Sequence, residues 1–239
     1  EALREQRFPY ICLNPGASYR GLHDSLVNHL GNQTPEIITC MHEEHAVGIA
    51  QGFAKITDKA LAVAVHSNVG LMHASMGVFN AWCDRVPMLI LGATGPLDAA
   101  KRRPWIEWIH TTIDQGSMVR GFTKWDDQPA SPEAAVESIR RGVILTNTAP
   151  SGPVYVNLDV SIQEQKIDVR PTFDDISHFP TPDNAEPPKA ALAEALGILS
   201  RAKRPFIFCG RGGRSEAEWN NRIKLAERLN ARTATHMKL

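Results

Sequence analysis

The chain has 239 residues, of which 43% are hydrophobic, so it is long and apolar enough for one large domain, or one domain and part of another. Its 26 Lys and Arg residues equal its 26 Asp and Glu residues, so net charge favours neither nucleic acid nor an anionic membrane surface, and small-molecule partners are expected. No apolar run is long enough to span a membrane, and the first residues lack a signal-peptide core. Four scattered cysteines without a CxxC pair indicate reduced thiols and predict a cytoplasmic protein.

Short apolar runs alternate with helical patterns through the first two thirds of the chain. Strands are predicted over Tyr10–Leu13, Ile37–Thr39, Leu61–His66, Met88–Gly92, Gly121–Lys124 and Val154–Leu158. Helices are predicted over Gly21–Leu30, Glu44–Ile56, Leu71–Trp82 and Pro132–Thr146. Several strands are apolar throughout, as strands covered on both faces are. The alternation predicts an α/β fold, with a mostly parallel sheet and helices on both faces.

A proline-rich stretch without periodicity, residues 163–188, follows this pattern and is predicted to be an interdomain linker. Residues 189–239 then predict a helix, a strand, a glycine turn, a second helix and the start of another strand. A unit of this size is too small to close a core alone. We therefore expect residues 1–162 to form the first domain and residues 189–239 to be the front part of a second α/β domain.

Two glutamates and a histidine stand at the start of the second predicted helix. Acidic residues in a first turn interact favourably with the helix dipole, by roughly 0.3–1 kcal/mol, which is one explanation for Glu43 and Glu44. The residues behind them favour another, because small side chains let a backbone or a flat ligand approach closely: Ala46, Gly48, Ala50, Gly52 and Ala54. The preceding strand would place Glu43 at the carboxyl end of a parallel sheet, where ligands of open α/β folds bind. His45 is expected to be a surface or packing residue.

The ordered segments of the chain resemble a known family. They are NPGAS at residues 14–18, the helix that Glu43 begins, LAVAVHSNVG at 61–70, LGATG at 91–95 and GPVYVNLD at 152–159. Together they resemble the pyrimidine-binding domain of thiamine-diphosphate enzymes, with benzoylformate decarboxylase as the nearest branch and acetolactate synthase next. The segment LSRAKRPFIFCGRGG, 199–213, is similar to the front of that family's middle domain.

The resemblance implies thiamine diphosphate as cofactor and assigns roles to residues. Glu43 would be the carboxyl group that hydrogen-bonds the aminopyrimidine ring, so that the cofactor can deprotonate its own thiazolium carbon. His66, in the pair His66–Ser67, would be a catalytic residue that handles protons on the substrate side. The resemblance also implies cofactor contacts at Asn14, Gly16 and Ser67, and a substrate pocket that includes Ala17, Ser18 and His110, with Trp105 and Trp108 as apolar neighbours. The branch commonly has serine directly after the glycine, whereas here Ala17 takes that position and Ser18 follows.

The resemblance further implies a decarboxylase or lyase that acts on a 2-keto acid. The alternative is an acetolactate-synthase-type carboligase. The family binds the diphosphate through Mg²⁺ at a GDG…N segment of a C-terminal domain, and this chain has no Asp-Gly pair. His23, His29, His42 and His45 do not have a metal-ligand spacing, so no metal site is predicted within the chain. FAD is possible in the family, but no residue here supports it. A homodimer or homotetramer with its active site at the subunit interface is implied, so the 239-residue chain alone is expected to be inactive.

A second class of function rests on CGRGG at Cys209–Gly213, which loosely resembles a dinucleotide-binding turn. It lacks the third spaced glycine of that motif. The alternative is a regulatory module that binds a dinucleotide and has no catalysis of its own.

Overall fold

The computed structural model describes residues 1–104, 107–169, 175–213 and 215–235. The chain forms two compact units, Glu1–Asp183 and Asn184–Leu239. The boundary falls within the segment 163–188 that the sequence predicts as a linker. Among the described residues, none of the helices combines the length and the apolar character needed to cross a bilayer.

The first unit contains a six-stranded parallel sheet and flanking helices. Its strands are β1 Tyr10–Leu13, β2 Glu36–Thr39, β3 Leu61–Ala64, β4 Met88–Thr94, β5 Asp126–Asp127 and β6 Pro153–Asp159. Its helices are α1 Ala2–Glu5, α2 Arg20–Asp24 with a π-helical continuation Ser25–His29, α3 Glu43–Thr57, α4 Ser67–Cys83, α5 Pro132–Asn147 and α6 Val160–Gln163. Short 3₁₀ turns complete it, among them Ala17–Tyr19, Glu107–Ile109 and Arg120–Phe122.

The strand order is β2-β1-β3-β4-β6-β5, with every neighbouring pair parallel, which confirms the predicted fold class. From β1 the chain moves outward to β2, and it then crosses back over β1 to β3. The loops after β1 and β3 therefore leave the sheet in opposite directions at adjacent carboxyl ends. Such a switch point is where open α/β sheets bind their ligands.

Two apolar cores cover the two faces of the sheet. Along β3 the buried side chains alternate, with Ala62 and Ala64 in one core and Leu61 and Val63 in the other. Helices α1, α2 and α5 contribute to the first core, and α3 and α4 contribute to the second. Burial on both faces explains why the central strands are apolar throughout.

Helices α3 and α4 pack closely because α4 has a glycine at the contact. A Cβ atom added to Gly77 would lie 2.9 Å from a methyl carbon of Val47 on α3. The small residues of α3 that the sequence singles out divide between two sides. Ala46, Ala50 and Ala54 are buried, whereas Gly48 and Gly52 are exposed, with open space around them.

The strand predicted over Gly121–Lys124 is wrong. Arg120–Phe122 forms a 3₁₀ turn, and the edge strand β5 begins only at Asp126, where it pairs with β6. The reason is the spacing of the apolar contacts. Val119 is fully buried and Phe122, three residues on, packs against the same core, so a helical turn suits them better than an extended chain.

The second unit has its own elements: α7 Lys189–Arg201, β7 Phe206–Cys209, α8 Glu216–Leu229 and β8 Arg232–Thr235. The two strands pair in parallel. No described residue of this unit is buried, and apolar side chains such as Phe206, Phe208 and Trp219 are exposed.

Candidate functional site

Helix α3 begins at the carboxyl edge of the sheet, directly after β2. His42 is its N-cap, and its Nδ1 accepts a hydrogen bond from the backbone N–H of Glu44 at 3.1 Å. Glu43, the first helical residue, is directed inward and is only 3% exposed, while Glu44 and His45 are exposed. The helix start therefore buries one carboxylate and leaves its acidic neighbour in solvent.

Gly70 on α4 makes room for the Glu43 carboxyl group. A Cβ atom at this position would lie 2.8 Å from Glu43 Oε1 and 3.2 Å from the carbonyl carbon of Val65. The other carboxyl oxygen, Oε2, lies 3.5 Å from Nδ1 of His73, one turn further along α4. Among the described residues, no hydrogen-bond donor reaches the Glu43 carboxyl oxygens within normal distance. A buried carboxylate in this state has unused capacity to accept hydrogen bonds.

His66 and Ser18 connect the loops that follow β3 and β1. Ser18 Oγ lies 2.9 Å from Nδ1 of His66, and it also accepts a hydrogen bond from the backbone N–H of Ser67 at 3.1 Å. The His66 ring lies against Gly16, where a Cβ atom would approach it to 2.5 Å. These residues meet at the switch point of the sheet. Ser67 is buried with a φ of 40°, a left-handed conformation that costs energy for a residue other than glycine and is often found at functional sites.

His110 lies beside His66, with ring centroids 4.8 Å apart. The pKa of His66 is lowered from its ordinary value, first because burial disfavours the charged ring and second because His110 lies nearby; the charge of Glu43 acts in the opposite direction. His66 is therefore held neutral at pH 7.

Tyr19, in the same loop as Ser18, is buried in the first apolar core. Its hydroxyl donates a hydrogen bond to the backbone oxygen of Asn14, which fixes the loop after β1. Burial raises the pKa of Tyr19, and the charge of Glu43 adds to that effect. Tyr19 is thus a neutral hydrogen-bond donor near Glu43, a role that sequence reasoning missed because an aromatic residue beside a strand is usually core.

The predicted substrate-pocket residues differ in their surroundings. Ser18 is buried and His110 half-buried, whereas Ala17 is exposed. The hydroxyl that contacts His66 thus comes from the second residue after Gly16, one place later than the family pattern. Trp108 is 76% exposed, and Trp105 lies outside the described residues.

The structure also brings together three residues that sequence spacing did not connect. One ligand atom each of His42, Glu43 and His73 lie within 4.8 Å of one another. The His42 and His73 rings are stacked, with centroids 4.9 Å apart and an interplanar angle of 21°. Because His73 is on α4 and the others start α3, only the packing of these helices creates the group.

The turn at Cys209–Gly213 does not have the features of a phosphate site. Ser215 and Glu218 form a capping box at the start of α8, so the helix's own carboxylate bonds the Ser215 N–H at 3.1 Å. A Cβ atom on Gly213 would lie 1.8 Å from that carboxylate. The Glu218 carboxylate thus occupies this helix start, and Arg222 donates a hydrogen bond to the Gly213 carbonyl at 2.8 Å.

Comparison with known proteins agrees with this geometry. Residues 1–118 match the family described as "Thiamine pyrophosphate enzyme, N-terminal TPP binding domain". The acetolactate synthase large subunit of Haemophilus influenzae is 27% identical over 240 residues, covering 96% of this chain. The benzoylformate decarboxylase of Pseudomonas aeruginosa is 23% identical over 192 residues, covering 79% of it.

The crystal structure of benzoylformate decarboxylase from Polynucleobacter necessarius has the same fold, with a TM-score of 0.81 over 98% of this chain and 41% of that one, at 22% identity. The chain spans 39% of the length of the Haemophilus protein and 35% of the Pseudomonas protein. Residues 1–118 are thus similar to the N-terminal TPP binding domain of the thiamine pyrophosphate enzymes.

Proposed function

We propose that the protein carrying this chain is a thiamine-diphosphate-dependent enzyme that acts on a 2-keto acid, and that the first unit binds the aminopyrimidine ring of the cofactor. The observation that carries the proposal is the Glu43 carboxylate, which is buried at the carboxyl edge of the sheet and receives no hydrogen bond from the described residues.

These residues fit the cofactor. An aminopyrimidine ring presents a ring nitrogen and an amino group, which suit a carboxyl group that needs a hydrogen-bonding partner. The glycine at position 70 keeps Oε1 of Glu43 uncovered by a side chain. The hydrogen bond from Tyr19 to the backbone oxygen of Asn14 fixes the loop after β1, which carries Asn14 and Gly16.

When bound, thiamine diphosphate would supply a nucleophilic thiazolium carbon for chemistry at the carbonyl group of a 2-keto acid. The residues of this chain would orient the cofactor and transfer protons. Glu43 would share a proton with the ring nitrogen, and this sharing would raise the basicity of the amino group. Asn14, Gly16 and Ser67, in the loops after β1 and β3, would contact the cofactor.

His66 would handle protons on the substrate side. The ring is neutral at pH 7, so it can accept a proton, and Ser18 holds Nδ1 at 2.9 Å and so fixes the ring orientation. The position of His110 beside it suits a second residue of the substrate pocket.

The pair His66–Ser67 favours a decarboxylase or lyase over a carboligase, because the resemblance places a histidine at this position in the benzoylformate decarboxylase branch. Product analysis separates the two reactions. A decarboxylase releases CO₂ and a free aldehyde from one 2-keto acid, whereas an acetolactate-synthase-type enzyme joins the acyl group to a second keto acid.

An exposed apolar stripe on α4 supports the proposed homodimer or homotetramer. Val69, Met72, Met76 and Phe79 are exposed and follow spacings of three, four and three residues, the pattern of a helix that packs against another helix. We place Mg²⁺ with the diphosphate, on a part of the enzyme other than this chain. Four free cysteines support the predicted cytoplasmic setting.

Calorimetric titration tests the proposal. The protein carrying this chain should bind thiamine diphosphate in the presence of Mg²⁺, and NAD should give no heat at the same concentrations. Binding of NAD alone would favour the dinucleotide-binding module and overturn the proposal.

A further inference from the structure

We propose that His42 and Glu43, at the start of α3, and His73, in the second turn of α4, form a binding site for a divalent transition-metal ion such as Zn²⁺, and that the bound ion blocks Glu43. The site would be inhibitory. It is separate from the Mg²⁺ that the proposed function places with the diphosphate.

The donor set suits this class of ion. Two imidazole nitrogens and one carboxylate oxygen match the ligands of Zn²⁺ and its neighbours, whereas Mg²⁺ prefers oxygen ligands and octahedral geometry. The buried Glu43 carboxylate lacks a hydrogen-bond donor among the described residues, so a cation would compensate its charge.

The distances are close to those that a zinc ion requires. Ligand atoms about 2.0–2.2 Å from a tetrahedral ion lie roughly 3.3–3.5 Å from one another. Glu43 Oε2 and His73 Nδ1 are already 3.5 Å apart, and the ligand atoms of the three residues lie within 4.8 Å. Rotation of the half-buried His42 ring would close the remaining gap. The side chain of His73 is 52% exposed, so water can reach the ion and complete its coordination.

Metal binding would disrupt the N-cap of α3, and this loss limits the expected affinity for the ion. His42 Nδ1 accepts the hydrogen bond that caps α3, and metal binding through either ring nitrogen gives up that bond, since binding through Nε2 moves the ring proton to Nδ1. Loss of a cap lowers the affinity by about tenfold. The ion would therefore bind reversibly and not as a permanent structural metal.

The inhibitory effect rests on the proposed function. An ion held by Oε2 withdraws the carboxyl group that would share a proton with the aminopyrimidine ring. Zinc should then raise the apparent Kd of thiamine diphosphate in the protein carrying this chain.

The test is calorimetric titration of the 239-residue chain with ZnCl₂ and, separately, MgCl₂. His73→Gln and Glu43→Gln each remove one ligand, while His42→Asn removes the ring but keeps a side chain that caps helices well. His45→Gln is the matched control, because His45 is exposed on the same helix and lies outside the group. Circular dichroism verifies that each variant is folded.

We expect one Zn²⁺ per chain with the wild type and with His45→Gln. Each ligand variant should lose about 100-fold or more in zinc affinity. Substitution of a residue that only supports a ligand typically costs roughly 10–100-fold. Mg²⁺ should give no comparable binding. Absence of zinc binding, or equal affinity in all variants, would show adventitious binding to surface histidines only and overturn the site.

A competition titration tests the inhibition. Zinc should weaken thiamine diphosphate binding in the wild type and do so less in His73→Gln. Equal effects in both proteins would overturn the inhibitory role. If the protein binds no thiamine diphosphate at all, the proposed function fails, while the zinc titration still decides whether the site exists.

Discussion

The protonation of His66 is set by its neighbours. Burial and His110 lower its pKa, so the folded protein keeps the ring neutral where an unfolded chain would bind a proton. The unfolded state therefore binds more protons below about pH 6.5, the ordinary value of histidine. The stabilising contribution of His66 to the free energy of unfolding is therefore fully present above that pH. It is lost as the pH falls from there through the lowered pKa of His66 in the folded protein.

An NMR titration of the His66 ring tests this directly. We expect a pKa below 6.5 in the wild type and a rise toward the ordinary value in His110→Ala, because the substitution removes the second cause of the shift. His45→Ala, which changes an exposed histidine away from His66, should leave the titration unchanged. A His66 ring that titrates at its ordinary value in the wild type would contradict the description.

The proposed substrate role of His66 predicts an uneven kinetic effect. His66→Ala should lower kcat for a 2-keto acid by about 10²–10⁴-fold, the usual contribution of general acid–base catalysis, and leave the affinity for thiamine diphosphate nearly unchanged. Steady-state kinetics and calorimetry provide the two measurements. Parallel losses in both would assign His66 a structural role instead.

At the residue scale, the sequence could single out Glu43 as a candidate, because an acidic residue ahead of small helical residues after a strand is a local pattern. It could not connect His73 to Glu43, since nothing in the local sequence around Gly70 and His73 marks the contact between α3 and α4. It also could not decide whether Ala17 or Ser18 is directed inward. That answer depends on the 3₁₀ turn Ala17–Tyr19, which directs Ser18 inward and leaves Ala17 exposed.

At the scale of elements, the glycines of α3 and α4 differ in the space around them. Gly70 and Gly77 lie at close contacts, whereas Gly52 has no atom within 4 Å of an added Cβ. Alanine in an open helical position is stabilising by roughly 0.5–1 kcal/mol. At a close contact the neighbouring atoms must move.

We therefore expect Gly52→Ala to raise the free energy of unfolding of the chain by about 0.5–1 kcal/mol, and Gly77→Ala to lower it by about 1–3 kcal/mol, because Val47 must shift in a packed core. Gly70→Ala should weaken cofactor binding, because an added Cβ would lie 2.8 Å from Glu43 Oε1 and displace that carboxyl group. Urea unfolding measures the first two. Equal effects of Gly52→Ala and Gly77→Ala would contradict the assigned packing.

Element boundaries show where local patterns are sufficient. The strand Tyr10–Leu13 was predicted at its observed limits, because an apolar run ends at a turn-forming Asn-Pro-Gly. Helix α4 begins at Ser67, four residues before its predicted start, because Ser67, Asn68 and Gly70 are weak helix formers that tertiary packing nevertheless keeps helical. Tertiary packing is also the reason why the predicted strand Gly121–Lys124 differs from the observed β5.

At the scale of the whole molecule, the sheet order determines which loops meet. The crossover that places β1 between β2 and β3 brings the residues after all three strands to one edge. Alternation of strands and helices predicted a parallel sheet with helices on both faces. It could not give the order, because strand order depends on contacts between residues that are distant in the chain.

The exposed stripe on α4 predicts self-association of the protein carrying this chain. Phe79→Glu should shift it toward monomer, because a charge would replace an apolar contact in a packed interface. Val27→Glu is a suitable control, since Val27 is also exposed but belongs to the helix on the opposite face of the sheet. Sedimentation velocity measures the change. A monomeric wild type, or equal effects of both substitutions, would contradict the interface.

The central proposal is that Glu43 activates the cofactor, and exchange of the thiazolium proton tests it most directly. In the protein carrying this chain, the exchange rate of this proton for deuterium should fall by about 10²–10⁴-fold in Glu43→Gln, because an amide cannot share the proton that the carboxyl group shares. Glu44→Gln, which changes the exposed neighbour, should exchange at the wild-type rate. Quench-flow NMR measures both, and wild-type exchange in Glu43→Gln, with thiamine diphosphate bound, would contradict the account.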